Sequence, residues 1–201
     1  GKVLDAVKNG PNADSTVIML FSDNGYHLGE KTHWRKYALW NEASRVPMVV
    51  AGPGVKDKGR KCHEPVSFTD IFPTLCDLAG IEKPYTEYQS NVADFASRLK
   101  RAEQSVDDKL QTQLDGVSFY PLLCNSSAQS PRPALTTSGY GNHSLCSSRW
   151  RYIRYNDGSE ELYDHKNDPE EWDNLANDSS YDMVKKEHMR WLPTFNAKPA
   201  R

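Results

Sequence analysis

Between Thr16 and Glu30 the chain reads Thr-Val-Ile-Met-Leu-Phe-Ser-Asp-Asn-Gly-Tyr-His-Leu-Gly-Glu, an apolar run that stops at an adjacent carboxylate and carboxamide followed by glycine. Val17 to Phe21 show no alternation of apolar and polar residues, which suits a parallel strand covered on both faces. A strand over residues 16 to 21 that ends in this way delivers two oxygen donors to the edge of a sheet, where ligands of open α/β folds bind. Asp23 and Asn24 supply one charged and one neutral oxygen, the donor type a hard cation such as calcium prefers. Gly25 then lets the backbone bend where a side chain would resist. The same triplet also reads as an Asx turn that merely reverses the chain.

The next residues bear on that choice. His27, Glu30, Lys31, His33, Arg35 and Lys36 crowd into ten positions around Leu28-Gly29 and Trp34. Charge so dense beside a candidate metal site suggests an anion pocket, although a solvated loop can carry the same residues.

The run Ser22-Asp-Asn-Gly-Tyr-His-Leu-Gly-Glu-Lys-Thr-His-Trp-Arg-Lys36, continued by Leu39-Trp-Asn-Glu-Ala-Ser-Arg-Val-Pro-Met-Val-Val50, resembles the type I, formylglycine-dependent sulfatases, in particular their iduronate-2-sulfatase-like branch. Further blocks follow in family order: Pro65 to Ile81, Leu114 to Leu123, Arg149 to Tyr155, Glu161 to Asp164, Asp168 to Glu170 and Asn174 to Ala176. The resemblance implies an alkaline-phosphatase-like α/β fold with a mostly parallel sheet and flanking helices. It also implies a small C-terminal antiparallel sheet with a closing helix. The implied reaction is hydrolysis of a sulfate ester, with a hydrated formylglycine attacking sulfur. Asp23 and Asn24 match the family's metal ligands, and Lys36 its sulfate-contacting lysine. His33 could reach sulfate or sugar, or simply bond to loop backbone. His143, in the glycine-rich Gly139-Tyr-Gly-Asn-His-Ser144, is a candidate substrate contact. His27 reads as structural, bonded to Glu30, and Arg45 as a partner of Glu42 or another carboxylate that holds the loop.

The family's Cys-x-Pro-x-Arg motif is missing. Cys62 precedes His-Glu, Cys76 Asp-Leu, Cys124 Asn-Ser and Cys146 Ser-Ser. The Asp-Asp pair that completes the family's calcium site is also absent upstream, since Asp107-Asp108 lies in a charged, helix-like stretch. A calcium ion takes about six to eight oxygens, and this sequence nominates two. The expectation is therefore the C-terminal portion of a sulfatase, with the N-terminal half of the enzyme as its partner and a sulfated carbohydrate as substrate. Gly1-Lys-Val-Leu-Asp-Ala-Val-Lys8 reads accordingly as the tail of a helix already under way. Residues 1 to 130 are expected to form the end of the catalytic domain, with a helical insertion at 85 to 113 whose Val92, Phe95, Leu99, Ala102, Val106 and Leu110 keep helical spacing. Residues 131 to 201 form the small subdomain.

Coarse patterns agree. A short helix (38 to 44), a strand (46 to 51) and a helix (68 to 79) alternate as in α/β layering. In the last, Phe68, Ile71, Phe72, Leu75, Leu78 and Ala79 fall on one face. Pro73 requires that helix to start near Asp70, and Gly80 ends it. Short β-like runs lie at 134 to 138, 144 to 147, 150 to 155 and 161 to 163, with Asn156-Asp-Gly158 as a hairpin turn. Trp150, Tyr152 and Tyr155 are candidate core of that sheet, and Tyr181 to Trp191 the closing helix.

A net charge of −2 with 26% charged residues gives no global field toward nucleic acid. No window approaches the roughly 20 apolar residues of a membrane span. The four cysteines suit free, mostly buried thiols, with a Cys124–Cys146 bridge left open. Sequons at Asn125, Asn142 and Asn177 are too near chance to place the protein; a periplasmic, secreted or lysosomal setting follows from the resemblance alone. Phosphonate or phosphodiester hydrolysis on the same fold, and a non-catalytic binding module, are the rival readings.

Overall fold

The computed structural model describes residues 1–83, 115–194 and 196. The amphipathic segment expected at 85 to 113 lies outside the described residues, and so do the last residues of the chain.

The first region opens with helix α1 (Lys2–Lys8), which buries none of its residues. Strand β1 (Ile18–Phe21) follows, pairing in register with β4 (Met48–Ala51) from Ile18 opposite Ala51 to Phe21 opposite Met48. The pairing is antiparallel, which corrects the parallel neighbour inferred from the apolar run. Lack of alternation reports cover on two faces and not strand direction, and a mixed sheet can hold either. Between these strands lie the hairpin β2 (His27–Leu28) and β3 (Trp34–Arg35) and the single-turn helix α2 (Asn41–Ser44). The hairpin was not legible as strands in a stretch so rich in charge.

Ser67 and Asp70 cap one another reciprocally and start a 3₁₀ turn at Phe68 that runs into α3 (Ile71–Ala79). Pro73 falls in its first turn, and Gly80 ends it at φ 64°, both as expected. The helix faces the other way from the expectation, however. Pro73, Thr74 and Cys76 are buried, while Phe72 and Leu75 are exposed beside Phe68. Thr74 explains the choice: its hydroxyl donates to the Asp70 carbonyl (2.7 Å) and accepts from the Phe119 amide (2.9 Å). That ties the polar side of the helix to the segment entering α4 (Tyr120–Cys124). Phe68 instead packs on Phe21, ring centroids 5.5 Å apart, joining the outward faces of α3 and β1.

The second region is a four-stranded antiparallel meander of β5 (Ala134–Thr137), β6 (His143–Cys146), β7 (Trp150–Arg154) and β8 (Glu160–Asp164). Each strand lies within a residue or two of its expected place. Gly158 turns the β7–β8 hairpin at φ 90°. A turn at Ser179–Tyr181 and helix α5 (Asp182–Met189) close one face, where Leu145, Tyr152, Leu162 and Ala176 form the core with Trp150, Tyr181 and Val184 against them. On the other face Ile153 and Tyr163 pack with Leu39, and Trp40 and Tyr155 lie against them. Leu39 and Trp40 come from the charged loop of the first region, so the meander serves as the floor under that loop. All four cysteines are free thiols, and only Cys76 is buried. Among the described residues no helix is long and apolar enough to cross a membrane.

Candidate active-site cleft

Beyond β1 the chain bends between two fixed points. The Ser22 amide donates to the Pro47 carbonyl (3.4 Å) and the Gly25 amide to the Ala43 carbonyl (2.9 Å). Gly25 is needed for space and not for an unusual dihedral: a Cβ there would stand 1.9 Å from the Glu42 carbonyl oxygen. Inside the bend the Ser22 hydroxyl donates to the Asn24 carbonyl at 2.8 Å, so backbone and serine hold the turn. No hydrogen bond from the side chain of Asp23 or Asn24 takes part, which separates this bend from an Asx turn. Both residues line a cleft of about 930 Å³, within the range of small-molecule sites.

Lys36 lines the same cleft from the loop after β3 and is exposed, free of any ion pair with a described residue. The loop that carries it is strained, since Lys31, Thr32 and Arg35 all have positive φ (52°, 56° and 105°) without being glycine. Such conformations cost of order 1–3 kcal/mol each and persist only where surroundings enforce them. Lys31 shows the enforcement. Its ammonium donates to the Glu171 carbonyl and to the Tyr163 hydroxyl, and stands 5.0, 4.5 and 5.8 Å from the ring centroids of Trp40, Tyr163 and Trp172. Arg45 also lines the cleft; it is exposed and makes no ion pair with Glu42 or any other carboxylate among the described residues, contrary to expectation.

His27, His33 and His143 lie outside the cleft lining. His27 is fully buried and edge-on to His33 and Trp40, with centroids 5.1 and 5.8 Å away. Neither nitrogen of His27, nor Nε2 of His33, has a hydrogen-bond partner. The bond expected between His27 and Glu30 is absent because the Glu30 carboxylate accepts the Leu28 amide instead, at 2.6 Å. His33 is therefore part of an aromatic box beneath the hairpin and does not line the cleft. His143 is buried with both nitrogens engaged, Nδ1 with Thr137 Oγ1 (2.9 Å) and Nε2 with Asn196 Oδ1 (2.7 Å). That places it in the sheet and outside the lining of this cleft.

Sequence reasoning missed a buried charge network behind the cleft. Glu171 Oε1 accepts from Arg151 Nε at 2.5 Å and meets His165 Nε2 at 2.7 Å, while Oε2 accepts the Asn41 amide at 2.8 Å. Arg151 also donates to the Leu39 carbonyl, the Ser144 hydroxyl and Asn41 Oδ1. Burial would raise the Glu171 pKa, but the bonds to His165, Arg151 and the Asn41 amide hold it below the usual carboxylate range. The network ties the loop 39–41, one side of the cleft, to β7. A charge in the middle of the buried run Trp150–Arg154 was the available signal.

Asp23 and Asn24 suit calcium in donor chemistry, as hard oxygens uncommitted to other bonds at the rim of a cleft. They are part of a site only: among the described residues no group of three or more His, Cys, Asp or Glu side chains could hold a metal.

Strand and helix order together with the small antiparallel sheet define a segment of an α/β fold whose solved neighbours include sulfatases. Residues 1–81 match the sulfatase family model. The chain is 36% identical over 98% of its length to a sulfatase of Formosa agariphila, covering 33% of that protein. The solved structure of a 2-O glycosaminoglycan sulfatase superposes with a TM-score of 0.67 at 26% identity, over 94% of this chain and 38% of the other. A phosphonate monoester hydrolase of Agrobacterium radiobacter shares the fold (TM-score 0.68, 23% identity, 95% and 37% covered). The chain thus has sulfatase homologues along nearly its whole length, and it spans about a third of the length of the relatives it matches.

Proposed function

We propose that this chain is the portion of a sulfuric ester hydrolase that supplies part of the metal and sulfate site, acting on sulfated glycans when completed by the N-terminal half of the same enzyme. The observation that carries this reading is that Asp23, Asn24 and Lys36, which come from two separate loops, line one cleft. Sulfated glycans are favoured because the 2-O glycosaminoglycan sulfatase matches across 94% of the chain. Kinship to the iduronate-2-sulfatase-like branch belongs to the same proposal, as does a secreted or periplasmic setting.

In the completed enzyme Asp23 and Asn24 would hold calcium through their side-chain oxygens, and the ion, when bound, would supply electrostatic stabilisation of anionic sulfuryl oxygens. Lys36 would hold the sulfate group by its ammonium and stabilise negative charge growing on the departing oxygen. Arg45 would add positive potential to the cleft. Lys31 and Glu171 would not touch substrate; they hold the Lys36 loop in its strained shape. The nucleophile, a formylglycine, would come from outside this chain, as would most of the calcium ligands.

The exposed apolar surface supports a partner segment. Leu20, Phe21, Val49, Phe72 and Leu75 are each more than 40% exposed, which a sheet strand and a helix of a finished domain would not leave open. Phosphonate ester hydrolysis is the second reading, favoured by the fold match to the monoester hydrolase.

The test is turnover by the full-length enzyme of paired sulfate and phosphonate esters. Asp23→Ala should abolish sulfate release. Lys36→Ala should lower kcat by about 10²–10³, as for loss of one oxyanion donor. An unchanged rate for Lys36→Ala removes its role, and a preference for the phosphonate ester replaces this reading with the second.

A further inference from the structure

The turn that carries Lys36 also presents an aromatic ring. The Ala38 amide donates to the Lys36 carbonyl at 3.0 Å, closing a three-residue turn with Tyr37 at its apex. Both flanks are anchored: Arg35 pairs with His27 in the β2–β3 hairpin, and Leu39, only 3% exposed, packs with Ile153 and Tyr163. Tyr37 itself is 77% exposed and lines the cleft beside Lys36. The other phenyl ring of the lining, Phe68, is packed on Phe21, whereas among the described residues no aromatic ring pairs with Tyr37. One anchored turn therefore offers an ammonium and, at the next residue, an open aromatic face.

We propose that Tyr37 is the platform on which the sugar ring of the substrate stacks while the sulfate group of that ring lies on Lys36, so that the cleft selects sulfated pyranosides. This inference rests on the sulfatase reading and adds to it a residue that reads the sugar. A pyranose ring has a face of C–H bonds, apolar and slightly positive, and the face of an aromatic ring is apolar and slightly negative. The same quadrupole repels a sulfate, which leaves the anion to the neighbouring ammonium and fixes the direction in which the ester lies. Tyrosine suits the task, since a ring on two torsions gives a large contact area at small entropic cost. Thr136, Ser138 and Ser148 add hydroxyls to the same lining, partners for those of the sugar. At about 930 Å³ the cleft has room for a sugar ring as well as its sulfate.

The test is sulfate release by the full-length enzyme from sulfated disaccharides of heparin, chondroitin sulfate and carrageenan, with inorganic sulfate as a competitive inhibitor that occupies the anion site alone. For the disaccharide turned over fastest, Tyr37→Ala should raise KM roughly three- to tenfold, the range of one aromatic contact, and move the Ki of inorganic sulfate by much less. Tyr37→Phe should restore the native KM. Equal rises in KM and Ki would make Tyr37 a support of the Lys36 loop, and an unchanged KM would leave it without a role; either result overturns the proposal while the sulfatase reading stands. Release of sulfate from none of the disaccharides overturns both. Nitration of Tyr37 by tetranitromethane, mapped by peptide mass spectrometry on the same enzyme, reads the ring directly. Tyr37 should react in the free enzyme and be protected by excess disaccharide. A Tyr37 that is inert in the free enzyme, covered by the N-terminal half, or one that reacts equally with and without the sugar, overturns the proposal.

Discussion

Residues 1–83 and the C-terminal meander enclose their apolar side chains differently. In the meander Tyr152, Ile153 and Leu162 are wholly buried, with cover on both faces of the sheet. In the first region Leu20 and Val49, on paired strands, are each 58% exposed, and α1 buries nothing. The meander is a closed core, whereas the described part of the first region leaves apolar side chains of β1, β4 and α3 open, as the proposed partner segment would require. The candidate site sits on the open region and is held by the closed one, through Lys31 on Glu171 and Tyr163 and through Arg151 and Glu171 on the loop 39–41.

Glu171→Gln should have the largest effect on this chain. It leaves Arg151 and His165 buried without their counter-charge, and loss of one partner in a buried pair costs about 3–5 kcal/mol. Chemical denaturation measures it; a loss below about 1 kcal/mol would mean that the two regions are not joined there. Gly25→Ala should follow at about 1–3 kcal/mol, the usual cost of forcing extra volume into a packed site. Its Cβ would meet the Glu42 carbonyl, so the loss should come with altered proteolysis in the 22–45 segment.

Leu20→Ala should change the stability of the chain by no more than about 0.5 kcal/mol, as a surface residue does. In the full-length enzyme the same change should cost about 2–5 kcal/mol, as in a core. Equal effects in both would break the contrast between closed and open regions.

The pH dependence of stability is subtler. His165 has its pKa raised from 6.5 to about 9, so its contribution is full below 6.5 and is lost as pH rises through 9. Cys146 is shifted down from 9.0, so its contribution is present above that value and is lost as pH falls through its folded-state pKa. Between roughly 6.5 and 9 the two slopes cancel, because folded and unfolded pairs each hold one proton, on the ring and on the sulfur respectively. Tm should fall below that window, where the unfolded histidine takes up a proton, and stay level through it and above it, because the folded ring and the unfolded thiol release their protons at about the same pH. A steady decline from pH 6.5 upward would show His165 charged with no thiolate beside it.

Much of the fold was legible because local signals were strong. The capped helix with Pro73 and Gly80, the four short strands and the Asn156-Asp-Gly158 turn all carry their own chemistry. The direction of β1 was not, since an apolar run encodes cover and not orientation. Nor was the outward face of α3, because an apolar stripe does not say whether its cover lies in the same segment. Of the candidate site, Asp23, Asn24 and Lys36 were legible by resemblance to a known motif, and one cleft collects them. His33 and His143 pack outside the cleft lining, and a histidine near a motif looks the same in sequence whether it lines a cleft or packs beneath it. The Arg151, His165 and Glu171 network left one local trace, the charge of Arg151 within β7, as its members meet only through strand register and a turn.

The most direct measurement is calorimetric titration of the 201-residue chain with calcium. Two oxygen donors out of the roughly six to eight that calcium takes should give weak binding or none, while the proposed full-length enzyme should bind tightly. Submicromolar affinity in this chain by itself would contradict a divided metal site.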